Sequence, residues 1–127
     1  MQLLLDEGFP SHCQVLGDFG IELIRWSGTH TSDLEFLQES KGLGMAGVVF
    51  LGTAVLSTNG LVAAAGDSAL YIAATWETNP QLITSALSTN LKSLKRAVRP
   101  GGIDVIYSRE IRPARRWWAA PQDGVER

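Results

Sequence analysis

The chain has 127 residues, of which 45% are hydrophobic and 19% are charged, and its formal net charge at pH 7 is −2. This length fits one domain with a substantial core, and the composition excludes a disordered chain. The single cysteine, Cys13, has no partner for an internal disulfide, so we expect a reducing, cytoplasmic compartment. The charge-free span over residues 42–66 contains six glycines, so we predict no membrane segment.

Charge is distributed unevenly along the chain. Residues 1–91 contain two basic and nine acidic residues, for a net charge of −7, whereas residues 92–127 contain nine basic and four acidic residues, for a net charge of +5. An acidic body suits cation binding, and a basic C-terminal part suits a polyanion. We therefore predict an α/β domain over residues 1–108 and a basic, tryptophan-containing tail over residues 109–127.

The first predicted element is a buried strand over residues 3–5, which stops at the adjacent acids Asp6 and Glu7. Strand side chains alternate between faces, so one acid should point into a crevice, and we choose Asp6 as the functional one. A helix over residues 10–19 and a second strand over residues 21–26 follow. Ser32 and Glu35 then form a capping box that starts a helix ending near Ser40.

The apolar residues 48–51 predict a central strand that is buried on both faces. A short helical segment over 55–62 and a fourth strand over 69–74 come next. The clearest amphipathic pattern predicts one helix over 81–98, followed by a fifth strand over 103–107. Residues 42–47 spell G-x-G-x-x-G, but this motif follows a helix and leads into a strand, so we predict a turn and no dinucleotide site.

This alternation predicts an α/β fold, a single three-layer domain with a five-stranded, mainly parallel sheet. In such sheets, ligands bind beyond the carboxyl ends of the strands. Asp6, Asp33 and Glu77 follow strand ends or face them, so we expect them to converge there. Two carboxylates about 4 Å apart repel by roughly 4 kcal/mol at an effective dielectric constant near 20, so this cluster predicts a Mg²⁺ or Mn²⁺ ion.

Two segments that contain these acids, residues 4–10 and 32–37, resemble motifs of a known protein family. Residues 4–10, Leu-Leu-Asp-Glu-Gly-Phe-Pro, resemble the Leu-Asp-Glu-Asn-Leu-Pro opening of the small PIN-like proteins related to the Mut7-C group. Residues 32–37, Ser-Asp-Leu-Glu-Phe-Leu, are similar to the Ser/Asp-Asp-x-Glu-Ile-Leu helix start of that group. The resemblance implies a metal-dependent nuclease, most often a ribonuclease and in many cases a toxin with an antitoxin partner. It implies that Asp6 is the first catalytic acid and that Asp33 or Glu35 is the second.

One expected acid is missing from this pattern. The family usually has Thr-x-Asp after the third strand, but residues 51–55 read Leu-Gly-Thr-Ala-Val. Either another acid such as Glu77 supplies the third ligand, or the module has lost catalysis and binds nucleic acid or a partner protein. A receiver-like phosphorylation domain also opens with an acid pair, but it needs an aspartate after strand three and a lysine after strand five. This chain has neither at those positions.

The segment 109–118 combines arginines with two tryptophans, a pairing typical of proteins that bind single-stranded nucleic acid. We therefore predict RNA, or another single-stranded nucleic acid, as a partner. The alternative is that the tryptophans cover the core or a homodimer interface. The predicted nucleic-acid-binding residues are Arg109, Arg112, Arg115, Arg116 and Trp117.

Overall fold

The computed structural model describes residues 1–13, 19–26, 28, 32–57 and 59–114. The strands are β1 (Gln2–Leu5), β2 (Glu22–Arg25), β3 (Gly47–Phe50), β4 (Tyr71–Thr75), β5 (Ile103–Ile106) and β6 (Ile111–Pro113). The α-helices are α1 (Asp33–Gly42), α2 (Asn59–Ser68), α3 (Pro80–Thr89) and α4 (Leu91–Ala97). The six strands form one mixed sheet in the order β2-β1-β3-β4-β5-β6.

The pairing of the strands explains the order of the sheet. β1 pairs in parallel with both β2 and β3, and β4 and β5 continue the parallel run. β6 returns antiparallel beside β5. The α/β class and the central position of β3 are thus confirmed, but the five-strand prediction is wrong because Ile111–Pro113 adds a sixth strand. The boundary predicted after residue 108 falls in the turn between β5 and β6.

Alternate side chains of the sheet enter two separate cores. On one face, Leu4 and Phe50 pack with residues of α1 and α2. On the other face, Leu5 and Val49 pack with α3, α4 and the 3₁₀ turn Ser11–Cys13. Helices therefore contact both faces, which is why every residue of β3 is buried and its sequence shows no polar alternation.

Helix α1 begins where the capping box predicts it. Ser32 is the N-cap residue, and its hydroxyl oxygen accepts a hydrogen bond of 3.1 Å from the backbone N–H of Glu35. Beyond the helix, Gly44 adopts a φ of 76°, which glycine reaches without strain. At Gly47 a Cβ atom would collide with the carbonyl oxygen of Tyr71 on the neighbouring strand. The glycine-rich segment is thus a helix end and a close strand contact.

The single helix predicted over residues 81–98 is in fact two helices. Asn90 lies between α3 and α4 and is buried. Its side-chain Nδ2 donates hydrogen bonds of 2.8 Å to the carbonyl oxygens of Ala86 and Tyr107. The break between the helices therefore lies where the Asn90 side chain bonds the backbone just after β5. An asparagine side chain can interrupt a helix in this way because it competes with the helical backbone for hydrogen bonds. Apolar periodicity continues across the break and does not reveal it.

The helix predicted over residues 10–19 and the helical segment predicted over 55–62 also differ from the structure. Within residues 10–19 the described secondary structure is the 3₁₀ turn Ser11–Cys13, and residues 14–18 lie outside the described part. The charge-free span contains β3, a 3₁₀ turn at Ala54–Ser57 and most of α2. Among the helices in the described ranges, none is long and apolar enough to cross a membrane.

Candidate functional site

The strand order creates a topological switch point between β1 and β3. The chain passes from β1 to β2 on one side, and the remaining strands follow from β3 on the other side. In a sheet of order 2-1-3-4-5, ligands bind in the crevice beyond the carboxyl ends of these two strands. Asp6 directly follows β1, and its backbone N–H donates a hydrogen bond of 3.0 Å to the carbonyl oxygen of Val49 on β3. The predicted functional acid therefore lies at the switch point.

Arg25, the last residue of β2, holds the loop that contains Asp6. Its Nη2 donates a hydrogen bond of 2.8 Å to the carbonyl oxygen of Glu7, and its Nε donates to the carbonyl oxygen of Phe9. Because β3 binds the backbone of Asp6 on the other side, the loop is fixed from two directions. The sequence pattern missed this role, since an arginine that ends an alternating strand resembles an ordinary solvent-exposed residue.

Replacing Arg25 with methionine should destabilise the protein. Arg25→Met keeps the apolar stem but leaves two loop carbonyl groups without their charged donor, so we expect the free energy of unfolding to fall by about 1.5–3 kcal/mol. The matched control is Arg109→Met, an exposed position where the change should stay within about 0.5 kcal/mol. Urea denaturation measures both variants. If both variants lose equally little stability, the hydrogen bonds from Arg25 to the loop contribute little to the free energy of unfolding.

Asp33 and Glu35 lie in the first turn of α1, where negative charge interacts favourably with the helix dipole. Phe36 of this turn packs edge-to-face on Trp26, with ring centroids 6.4 Å apart. Since Trp26 directly follows β2, the start of α1 lies beside the carboxyl end of that strand. The structure therefore brings Asp33 and Glu35 to the same edge of the sheet as Asp6.

Glu77 lies at this edge too, but two strands away from Asp6. Its Oε1 accepts hydrogen bonds from the backbone N–H groups of Thr78, at 3.1 Å, and Asn79, at 3.0 Å, in the loop before α3. Two strand spacings are roughly 10 Å, whereas the ligands of one Mg²⁺ ion lie about 2.1 Å from it. Within the part of the chain that the structure describes, no group of three or more metal-ligating side chains is placed to hold an ion.

The ends of β2 and β3 present polar groups other than acids. Gly52 has a φ of 85°, and its N–H donates a hydrogen bond of 3.1 Å to Oγ1 of Thr75, the last residue of β4. Trp26 contributes an indole Nε1 that is buried and has no hydrogen-bond partner among the described residues. A buried donor without an acceptor is costly, and a water molecule or a ligand can supply the missing acceptor.

Of the predicted nucleic-acid-binding residues, Arg109 and Arg112 lie on the β5–β6 hairpin. Arg109 is exposed in the turn at the carboxyl end of β5, and Arg112 forms an ion pair of 3.1 Å with Glu110. Because β6 is antiparallel, the chain then returns to the amino edge, where the N–H of Ala114 donates to the carbonyl oxygen of Ile103 at 2.9 Å. The residues that lie outside the described ranges are Arg115, Arg116 and Trp117.

A buried charge that the sequence pattern did not single out lies at the opposite, amino edge. Asp104 on β5 is 2% exposed and accepts hydrogen bonds from the Tyr71 hydroxyl at 2.7 Å and from two nitrogens of Arg99 at 2.9 and 3.0 Å. Burial, followed by the charge of Asp104, raises the pKa of the Tyr71 hydroxyl. The hydrogen bond to Asp104 raises the pKa of Arg99. The sequence feature that could have indicated this buried charge is the position of Asp104 inside the otherwise apolar strand β5.

Comparison of the chain with protein-family models, with curated proteins and with solved structures found no match. Its function must therefore be inferred from the fold and from the residues at the sheet edges. The fold places acids at the end of β1 and at the start of α1, on the sheet edge where ligands bind in open α/β sheets. It also provides a second charged region at the β5–β6 hairpin.

Proposed function

We propose that this chain is a PIN-like, metal-dependent nuclease that cleaves RNA, and that it serves as the toxin of a toxin–antitoxin pair. The observation that carries the proposal is the position of Asp6 at the switch point between β1 and β3, with Asp33 and Glu35 on the same edge. A loop held by Arg25 and β3 keeps the backbone of Asp6 in place, as a catalytic carboxylate requires.

The acids at this edge suit Mg²⁺ or Mn²⁺. Mg²⁺ keeps several waters and usually takes one or two carboxylates together with substrate phosphates, so Asp6 and one acid of α1, Asp33 or Glu35, would hold it. When bound, such an ion activates a water molecule and stabilises the charge that develops on the phosphate. One such divalent ion would also reduce the net charge of −7 over residues 1–91, which repels a polyanion.

A specific observation favours a second function, that of a module that binds nucleic acid or a partner protein without cleaving it. β3 is followed by Gly52 and Thr53, with no acid in the position where the family usually has one. The carboxylate of Glu77, the candidate for that third ligand, accepts two hydrogen bonds from its own loop. Under this alternative the carboxyl edge still binds a ligand but performs no hydrolysis.

Metal-dependent thermal melts of Asp6→Asn distinguish the two functions. We expect millimolar Mn²⁺ to raise the melting temperature of the wild type, because the ion binds the native state, and Asp6→Asn to cancel that shift. Without metal the variant should be as stable as the wild type or more so, because the proposed cluster then contains one negative charge fewer. Cleavage of a labelled single-stranded RNA should require Mn²⁺ and should be lost in Asp6→Asn.

Two control variants make this result specific. Glu39→Gln removes the same charge from an exposed position near the end of α1 and should keep the metal-dependent shift. Asp33→Asn should lose about 0.3–1 kcal/mol of stability with or without metal if the residue acts through the helix dipole alone. If the wild type binds RNA but shows neither a Mn²⁺-dependent rise in melting temperature nor cleavage, the nuclease proposal is wrong and the binding-module proposal takes its place.

A further inference from the structure

A groove of about 450 Å³ runs between α4 and the β5–β6 hairpin. Ser93 and Arg96 of α4 line one side of it, and Arg99, which follows the end of that helix, lines it as well. The hairpin contributes Arg109 and Ile111. Three arginines from two different elements therefore line the same groove.

Arg99 is held in one orientation by its neighbours. Its Nη1 and Nη2 donate hydrogen bonds of 2.9 and 3.0 Å to the two carboxylate oxygens of Asp104. Nη1 also donates a hydrogen bond of 2.8 Å to the carbonyl oxygen of Ala97. The guanidinium carbon lies 5.9 Å from the ring centroid of Tyr71. A guanidinium fixed in this way has already lost the rotational freedom that binding a ligand would otherwise remove.

The turn between α4 and β5 makes room for the Arg99 side chain. A Cβ atom at Gly102 would lie 2.6 Å from Cγ and 2.7 Å from Nε of Arg99, so the arginine lies directly against the glycine backbone. The N–H of Gly102 donates a hydrogen bond of 3.0 Å to the carbonyl oxygen of Arg99, which closes the turn. The glycine at this position thus lets the arginine lie flat beside the groove.

The hydrogen bonds of Arg99 leave one edge of its guanidinium without an acceptor in the described ranges. Arginine has five N–H donors, and Asp104 and Ala97 accept three of them. Both N–H groups of Nη1 are used, so the remaining donors are Nε–H and one N–H of Nη2, which lie side by side. Two parallel donors of this kind bind two oxygens of one phosphate or carboxylate group. The Arg99 side chain is 47% exposed, so a ligand in the groove can reach this Nε–Nη2 edge.

The charges around the groove favour a phosphate over a carboxylate. The two acids that line it are each paired with an arginine, Asp104 as described above and Glu110 with Arg112 at 3.1 Å. Arg96 and Arg109 have no ion-pair partner among the residues that the structure describes. Four arginines against two acids leave an excess of two positive charges. A phosphate monoester carries about −1.5 to −2 at pH 7, which matches this excess better than the single charge of a carboxylate.

We propose that this groove binds a phosphate group, which the Nε–Nη2 edge of Arg99 orients and the charges of Arg96 and Arg109 attract. A small phosphorylated molecule and the terminal phosphate of an RNA both carry this group. The groove lies beside β5, three strands from β1, so it is a second site, separate from the acids around Asp6. Asp104 is a positioning residue in this site, because its carboxylate fixes Arg99.

NMR spectra of the arginine Nε–H groups, recorded at low salt in EDTA while inorganic phosphate is added, test the site. We expect the Arg99 Nε–H resonance to shift along a saturable curve, because this group donates to the phosphate. Arg96→Gln and Arg109→Gln should each weaken binding by about two- to fivefold. The matched control is Lys92→Gln, since this Nζ lies elsewhere on α4, 5.9 Å from the Phe19 ring centroid, and the affinity should stay within about 1.5-fold.

Replacing arginine with lysine separates the geometry of the site from its charge. Arg99→Lys keeps the positive charge but has no pair of parallel donors, so we expect the affinity for phosphate to fall about tenfold. Arg96→Lys should keep the affinity within about twofold, because Arg96 acts through its charge. Thermal melts show whether Arg99→Lys is folded. If it is not, the wild-type Nε–H shift and the Arg96 and Arg109 variants still decide the outcome.

Oligouridines with a terminal phosphate or a terminal hydroxyl identify the source of the group. If only the phosphorylated RNA binds, and does so more tightly than inorganic phosphate, the site holds an RNA end. If inorganic phosphate binds and neither RNA does, the ligand is a small phosphorylated molecule.

Two results would overturn the phosphate site. One is an Arg99 Nε–H resonance that does not move at millimolar phosphate, and the other is an equal loss of affinity for Lys92→Gln and Arg96→Gln, which would reduce the effect to net charge. EDTA removes metal ions, so these results are independent of the Mn²⁺ melts of Asp6→Asn. The nuclease proposal and the phosphate site can therefore fail separately.

Discussion

Gly47→Ala is expected to lower the free energy of unfolding by about 3 kcal/mol or more. Gly47 begins β3 and pairs with Tyr71 of β4 in the middle of the sheet. A Cβ atom at this position would collide with the Tyr71 carbonyl oxygen and would lie 2.7 Å from the Tyr71 Cβ. The backbone of a buried strand cannot move away without breaking neighbouring pairings, so relief of the clash costs hydrogen bonds or packing.

Gly66→Ala provides the control for this prediction. Gly66 lies in α2 and is exposed, and outside the backbone of its own helix no heavy atom lies within 4 Å of the position where a Cβ would be added. Alanine should stabilise this helix by about 0.5–1 kcal/mol, because glycine has the lower helix propensity and the more flexible unfolded state. Urea denaturation of both variants should give effects of opposite sign. A Gly47→Ala protein as stable as the wild type would mean that β3 and β4 are not in close contact there.

Tyr71→Phe is expected to destabilise the protein by about 1.5–3 kcal/mol at pH 7, and by less at alkaline pH. The Tyr71 hydroxyl donates to the buried carboxylate of Asp104, which then keeps Arg99 as its remaining side-chain partner. Phenylalanine preserves the ring in the core but removes that donor. The loss at pH 7 therefore measures the hydrogen bond to a charged acceptor.

The alkaline dependence follows from the raised pKa of Tyr71 in the folded state. The unfolded chain releases the tyrosine proton near its ordinary pKa of about 10, whereas the folded protein retains the proton. The stabilisation by Tyr71 is therefore fully present below pH 10 and decreases as the pH rises further, by about 1.4 kcal/mol per pH unit. Phenylalanine has no such proton, so the stability gap should narrow by about 1.4 kcal/mol between neutral pH and pH 11. A constant gap in urea titrations would contradict this account.

Local sequence signals predicted individual elements well but missed features that depend on distant partners. Ser32 caps α1 as its spacing predicts, because the capping hydrogen bond joins residues three positions apart. Asn90 breaks the predicted helix because its side chain reaches the carbonyl oxygen of Tyr107, a contact that no local pattern encodes. The sequence predicts residues 111–113 as part of a basic tail, because a three-residue segment with an arginine and a proline has no strand pattern of its own, and it forms β6 by pairing with β5.

The candidate site was predictable where it follows from the ends of strands. Asp6 lies at the carboxyl end of β1 because the apolar run before it ends there. The expected approach of Glu77 to Asp6 depends on the order of the strands, which the sequence does not reveal. Because β3 lies between β1 and β4, the two acids are separated by two strand spacings. The roles of Arg25 and Asp104 depend on contacts with Phe9 and Tyr71, which become neighbours in the folded sheet.

The two outer strands of the sheet, β2 and β6, are poor templates for aggregation. Exposed strand edges offer unused N–H and C=O groups that recruit strands of other molecules into fibrils. At one edge, β6 has three residues and ends in Pro113, which has no N–H to donate, and Arg112 adds an exposed charge. At the other edge, β2 has four residues and is bounded by Glu22 and Arg25. The strongly apolar strands β1 and β3 are thus kept inside the sheet, where they cannot seed intermolecular pairing.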